Sequence, residues 1–181
     1  MKNVKLLKGK SYLGCMMFLC MVTVGLRAQY NQDLPPKDNL AVGIRIGGTS
    51  GVTAKYFYKN NMAAEGIIGT FGNGFSLTGL LERQLPVYNA QGLYLYYGGG
   101  AHLAFYNGED KYANHFGREV DYRKNNDVGF GIDGIIGLEY RLPNDIPIGF
   151  SLDLKPFVEV GSGGYVAVAP DPSIGVKFII R

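Results

Sequence analysis

Six carboxylates recur at one of the two alternating positions of extended segments, where paired acids could perform general acid–base chemistry. Five cationic side chains share this alternation and would face the same side, and Lys59 and Arg181 fall in the same phase at strand ends. Opposite charges in similar numbers on one face favour mutual ion pairing over catalysis. We therefore predict a structural ion-pair network, whose members are Arg45, Lys55, Glu65, Glu82, Asp133, Glu139, Arg141, Asp153, Lys155, Glu159 and Lys177.

Other reactive side chains do not form a recognisable site. His102 shares the charged positions and is predicted to be a hydrogen-bonded interior residue, whereas His115 falls in a charged connection. Two separated histidines lack the spacing of zinc ligands. No Lys-Ser or Lys-Thr follows the glycine run 98–100, as a phosphate-binding loop would require. We expect no catalytic residue, no metal and no cofactor.

The N-terminus has the composition of an export signal. Four lysines within residues 1–10 precede an apolar run over 13–26, which is too short for a helix that spans a bilayer with roughly 20 residues. The small residue Ala28 then offers a cleavage site, so residues 1–28 are predicted to be a secretory signal peptide. Both cysteines, Cys15 and Cys20, lie within it, and the remaining chain therefore has no thiol and no disulfide.

Composition excludes several classes of protein. The 181 residues carry a net charge of +3, but the positive excess lies in the signal segment and the remainder is slightly acidic. No basic stripe for nucleic acid is left after its removal. Hydrophobic residues make up 46% of the chain and charged residues 18%, a composition that excludes disorder.

Strict alternation dominates the chain after a short segment, 29–39, that we expect in the periplasm. It predicts eight β-strands and no long helix. One alternating phase contains no charged residue up to Leu81 in the fourth strand and throughout the other seven strands, and the other phase contains the charges together with many glycines. The predicted strands are 40–47, 52–59, 62–71, 75–85, 93–106, 128–142, 146–160 and 173–181.

Two architectures are compatible with this alternation. A soluble, lipocalin-like carrier would enclose the apolar phase and expose the charges to water. An outer-membrane barrel would expose the apolar phase to lipid and enclose the charges. Four features favour the outer-membrane barrel. The polar phase is rich in glycine, its charges are balanced, and aromatic residues lie near strand ends. The long connections, 107–127 and 161–172, would also lie at one rim. The predicted fold is therefore all-β, a closed eight-stranded antiparallel up-and-down transmembrane β-barrel formed by residues 40–181.

The runs Leu81–His102 (LERQLPVYNAQGLYLYYGGGAH) and Gly131–Val160 (GIDGIIGLEYRLPNDIPIGFSLDLKPFVEV) resemble small outer-membrane β-barrel proteins of Bacteroidetes-type bacteria. More broadly, residues 40–181 are similar to eight-stranded OmpA/OmpX-type barrels. The resemblance implies the outer membrane of a Gram-negative cell and a structural, adhesive or unassigned role. Some outer-membrane barrels are lipid A deacylases with a His and a Ser two residues apart, but Ala104 follows His102 at that spacing.

The connection 107–127 is the best candidate for a contact surface, because loops on rigid scaffolds carry function. Expected partners are outer-membrane lipid and the insertion machinery, with no nucleic acid. A soluble carrier, or a conduit for a small hydrophobic solute, is the alternative function. The candidate contact residues are Tyr112, His115, Phe116, Arg118, Tyr122 and Arg123.

Overall fold

The alternating residues form antiparallel β-strands throughout the described chain. The computed structural model describes residues 40–59, 61–72, 74–106, 127–143, 146–162, 164 and 166–180. The predicted signal peptide 1–28, the segment 29–39, the contact residues in loop 107–126 and Arg181 lie outside this range. The strands are β1 (Leu40–Gly47), β2 (Ser50–Lys59), β3 (Met62–Phe71), β4 (Gly74–Pro86), β5 (Leu93–Tyr106), β6 (Asp127–Arg141), β7 (Ile148–Leu154), β8 (Phe157–Gly161), β9 (Val166–Ala169) and β10 (Pro172–Ile180).

The strands close into a ring. Each of β1 to β5 pairs with the next strand in sequence, β5 pairs with β6, and β10 returns to pair with β1. One half of β6 pairs with β7 and the other half with β8, while β9 pairs with β8 and β10 with β7. Because β7 with β8, and β9 with β10, each occupy one position in the wall, the ring has eight positions. The predicted all-β, closed eight-stranded antiparallel barrel is confirmed.

Two neighbouring wall positions are interrupted at the same height. The break between β7 and β8 lies at Lys155–Pro156, and the break between β9 and β10 lies at Pro170–Asp171. Pro156 has no N–H to return the hydrogen bond that Gly134 donates to its carbonyl oxygen at 2.9 Å. The predicted unbroken strand 146–160 is therefore wrong at this point. The predicted connection 161–172 is also wrong in part, because it contains β9.

The two ends of the described barrel lie at one rim, where Leu40 of β1 is paired with Ile180 of β10. This rim also carries the connections that follow β2, β4 and β6. The connection between β4 and β5 turns tightly through Asn89 and Gly92, whose φ angles are 59° and 80°. The connections after β5 and β8 leave from the opposite rim.

The apolar phase faces outward and the charged phase faces inward. Leu152 is 59% exposed, whereas its neighbours in sequence Ser151 and Asp153 are 7% and 9% exposed. The same alternation runs along the other strands. Lys59 is an exception to the predicted phase, because it is exposed where a register shift between Phe57 and Lys59 disturbs the alternation. The part of the chain that the structure describes contains no helix long and apolar enough to cross a membrane.

Candidate functional site

The eleven side chains proposed as an ion-pair network all lie in the barrel interior. Each is exposed by 9% or less; ten of them take part in an ion pair between a carboxylate and a lysine or arginine, and Glu159 contacts His102. Their inward direction follows from the strand period of two, which places every second side chain on one face. The structure groups them, with buried polar neighbours, into four clusters along the barrel.

The central cluster surrounds Lys55 of β2. Its Nζ lies 2.7 Å from Glu82 Oε2, 3.1 Å from Glu65 Oε2 and 3.5 Å from Glu139 Oε2. The ring of Tyr96 lies below the same ammonium group, 4.1 Å from Nζ to the centroid. Because Lys55 is fully buried, these three carboxylates and the ring take the place of water around its charge.

Glu65 joins the central cluster to β10. Lys55 and Glu65 are directly opposite each other in the β2–β3 pairing. The ammonium group of Lys177 donates to Glu65 Oε1 at 2.8 Å, and the hydroxyl of Thr53 donates to the same oxygen. Glu65 is thus held by two cations and a hydroxyl, and it connects strands on both sides of β1.

A second cluster holds Arg45 of β1 against β7 and β10. Its Nη2 donates to Asp153 Oδ1 at 3.2 Å and to Ser173 Oγ at 2.8 Å. Ser173 in turn donates to Asp153 Oδ1 at 2.7 Å, and the hydroxyl of Tyr96 donates to Asp153 Oδ2 at 2.9 Å. Both oxygens of Asp153 are therefore satisfied by donors from three different strands.

Asp171 is a member of the interior network that sequence patterning misses. It is 2% exposed, and its Oδ2 lies 3.3 Å from Lys155 Nζ and 3.5 Å from Arg45 Nη2. Its Oδ1 accepts the backbone N–H of Thr49 at 2.8 Å, so it also fixes the turn between β1 and β2. Asp171 falls in the predicted connection 161–172, between Pro170 and Pro172, and is therefore outside the alternating strands from which the network was predicted.

A third cluster lies towards the rim that carries the connection after β5. His102 Nδ1 is 2.8 Å from Asp133 Oδ2, and its Nε2 is 2.9 Å from Glu159 Oε2. Lys155 donates to Asp133 Oδ1 at 2.8 Å, and the hydroxyl of Tyr106 donates to Glu159 at 2.8 Å. Both ring nitrogens of His102 are therefore engaged by carboxylates, one from β6 and one from β8.

The fourth cluster closes the interior near the rim of the chain ends. Arg141 Nε donates to Glu139 Oε1 at 2.7 Å, and its Nη2 donates to Gln84 Oε1 at 3.0 Å. The guanidinium carbon lies 4.7 Å from the ring centroid of Phe57 and 4.8 Å from that of Tyr94. Two hydrogen bonds and two aromatic faces therefore fix one guanidinium group.

Interior glycines provide the space that these side chains occupy. A Cβ atom at Gly131 would lie 2.2 Å from Cε1 of His102, and one at Gly129 would lie 2.5 Å from Cδ of Glu159. A Cβ at Gly137 would lie 2.5 Å from Cζ of Tyr96. Long charged side chains and glycines thus complement each other across neighbouring strands.

The interior charges are less balanced than the sequence suggests. Among the described side chains, the buried carboxylates outnumber the buried lysines and arginines, because Asp171 joins the acids and Lys59 lies outside. His102 is placed between two carboxylates, where a positive imidazolium would offset part of this excess. The arrangement is suited to crosslinking strands from the inside.

The chain matches no protein-family model and no curated protein.

Proposed function

We propose that this chain is an integral outer-membrane β-barrel protein of a Gram-negative cell, exported through an N-terminal signal peptide, with a structural or surface-interaction role. The observation that carries the proposal is the direction of the two phases. Large apolar side chains such as Leu81, Ile132 and Leu152 are 59–63% exposed on the outer wall, while the charges are enclosed. Such a wall in water would expose a continuous apolar surface far beyond what soluble monomers carry.

Ring closure supports the same proposal. In hydrocarbon each unsatisfied backbone N–H or C=O costs several kcal/mol, so a spanning sheet must have no free edge over the membrane. The pairing of β1 with β10 and of β5 with β6 removes the edges. The resemblance of Gly131–Val160 to small outer-membrane barrels is in agreement with this location.

The interior favours a structural role over transport. Lys55 on β2 and Glu139 on β6 extend from opposite walls and meet inside the barrel. An eight-stranded barrel is just wide enough to be filled by its own side chains. The alternative function as a soluble carrier or conduit needs a lumen for its ligand, and the central cluster occupies that space. The engaged ring nitrogens of His102 favour a role without catalysis.

Fractionation of cells that express the full chain tests the location. We expect recovery in the outer-membrane fraction, in a form whose electrophoretic mobility changes on heating because the barrel resists detergent until heated. Recovery in the soluble periplasmic fraction would contradict the proposal.

Two single-cysteine variants, each carrying one fluorophore, test the outer wall directly. Residues 29–181 contain no native cysteine that would be labelled as well. A fluorophore on Leu152→Cys in the wall should be quenched by brominated lipid and protected from aqueous iodide. One on Gln91→Cys, in the exposed turn between β4 and β5, should show the reverse. Equal quenching of both labels by iodide would indicate a barrel in water.

A further inference from the structure

Among the side chains that the structure describes, charge on the outer wall is confined to one place. Every Asp and Glu side chain whose exposure the structure describes is buried inside the barrel. The two exposed charged side chains in the same part of the chain, Lys59 and Arg83, are both cations. The described outer wall therefore has a local positive charge with no carboxylate to neutralise it.

These two cations belong to one row of neighbours that crosses four strands. Lys59 of β2 is paired with Met62 of β3, Met62 with Arg83 of β4, and Arg83 with Tyr97 of β5. We call these four residues the basic row. Neighbouring strands lie about 4.8 Å apart, so the two cationic backbones are about 10 Å apart and their long side chains can converge on one group.

Arg83 is the most informative member of the row. It lies within β4, on the outward phase, between Leu81 and Leu85. A lipid-facing arginine costs about 2–4 kcal/mol at the bilayer midplane and about 0–1 kcal/mol near the interface. The other outward-facing residues of β4 are apolar or glycine, so an arginine among them indicates that Arg83 lies at the membrane interface.

The height of the apolar wall agrees with this position. Beyond Arg83, the outward side of β4 carries only apolar residues and glycine as far as Phe75. Eight residues at about 3.4 Å each, tilted by about 40°, span about 20 Å. This height, together with the residues at the far rim, fits an apolar band of about 25 Å and places the guanidinium group at the level of lipid phosphates.

We propose that the basic row binds the headgroup phosphate of an anionic glycerophospholipid in the inner leaflet of the outer membrane. The guanidinium of Arg83 offers two parallel N–H donors to phosphate oxygens, and Lys59 adds a point charge beside it. Tyr97, 36% exposed, adds an amphipathic ring beside Arg83 in the same row. The proposal rests on the membrane location proposed above, and on the chain ends lying on the periplasmic side.

Lipid retention by the reconstituted barrel tests the proposal. Residues 29–181 are inserted into vesicles of phosphatidylcholine and phosphatidylglycerol in equal amounts and extracted in mild non-ionic detergent, and the bound lipid is measured by native mass spectrometry. We expect wild type to retain phosphatidylglycerol in preference to phosphatidylcholine. The double variant Lys59→Gln/Arg83→Gln should retain at least threefold less. Thr70→Gln, which places a glutamine on the outer wall at the opposite rim, is the matched control and should retain the wild-type amount.

Each result separates the two proposals. A barrel that is inserted in the vesicles but retains both lipids equally, or retains phosphatidylglycerol equally with and without the two cations, overturns the phosphate site and leaves the membrane location intact. A folded barrel that stays out of the vesicles overturns both. Arg83→Lys should retain an intermediate amount, because it keeps the charge and loses the paired donors.

Discussion

Lys55 of β2 and Glu139 of β6 stand on opposite walls of the barrel, and Lys55 Nζ lies 3.5 Å from Glu139 Oε2. In a ring of eight strand positions no two walls are farther apart. The same ammonium group also contacts Glu82 and Glu65, so one cation connects four strands. This relationship makes Lys55 the residue whose loss should affect the barrel most.

Replacement of Lys55 by methionine should strongly destabilise the barrel. It leaves three buried carboxylates without their common cation, and removal of one partner of a buried ion pair costs about 3–5 kcal/mol. Urea unfolding in detergent, followed by the β-sheet signal in far-UV circular dichroism, should show a lower midpoint. Val42→Met puts the same residue on the outer wall and should stay within about 0.5 kcal/mol of wild type. Equal midpoints for the two variants would show that the central cluster does not hold the barrel together.

Interior and exterior glycines should respond differently to alanine. At Gly137 the added Cβ would lie 2.5 Å from Tyr96 Cζ and 2.7 Å from Asp153 Cβ, and such overpacking costs about 1–3 kcal/mol. At Gly66, on the outer wall, a Cβ would have no heavy atom within 4 Å. Gly137→Ala should therefore lower the unfolding midpoint, while Gly66→Ala should leave it unchanged or raise it slightly. The reverse order would contradict the assignment of inside and outside.

Two substitutions at Asp171 should separate its two roles. Asp171→Asn removes the charge facing Arg45 and Lys155 but keeps an oxygen for the N–H of Thr49, whereas Asp171→Ala removes both. We expect a loss of about 1–3 kcal/mol for Asn and a larger loss for Ala. Hydrogen exchange at the Thr49 amide should accelerate markedly more in the alanine variant. Equal exchange rates would mean that Asp171 does not fix the β1–β2 turn.

An arginine in the outer wall should distinguish a lipid environment from water. Ile132, in the middle of β6, is 63% exposed, and Ile132→Arg should cost about 2–4 kcal/mol in a bilayer. Tyr140→Arg, near the rim of the chain ends, should cost only about 0–1 kcal/mol, because depth sets the cost. Folding yield and unfolding midpoint in vesicles provide the comparison. A soluble barrel would tolerate both changes equally.

Much of the barrel could be predicted from the alternation alone. A period of two assigns each residue to a face without knowledge of any partner, which is why all eleven residues of the proposed network lie inside. The alternation failed where the chain departs from it. Lys59 follows a register shift, and Asp171 lies in the break between β9 and β10, between Pro170 and Pro172.

The partners within the network could be anticipated only for strands adjacent in sequence. Lys55 opposite Glu65 follows from the tight connection between β2 and β3. The pairing of Lys177 with Glu65 depends on the stagger of strands around the closed ring, which no local pattern specifies. For the same reason, the position of His102 between Asp133 and Glu159 could not be read from the order of residues.

The interrupted wall at Lys155–Pro156 and Pro170–Asp171 bears on how the barrel assembles. Lys155 and Asp171 lie beside this break and form an ion pair with each other. Lys155 also pairs with Asp133, and Asp171 also pairs with Arg45. Arg45 is 108 residues from Asp153, and Lys177 is 112 residues from Glu65, so these contacts join the beginning of the barrel to its end. In an open intermediate these charges would have to stay in contact with water, so we expect their burial to coincide with closure of the ring.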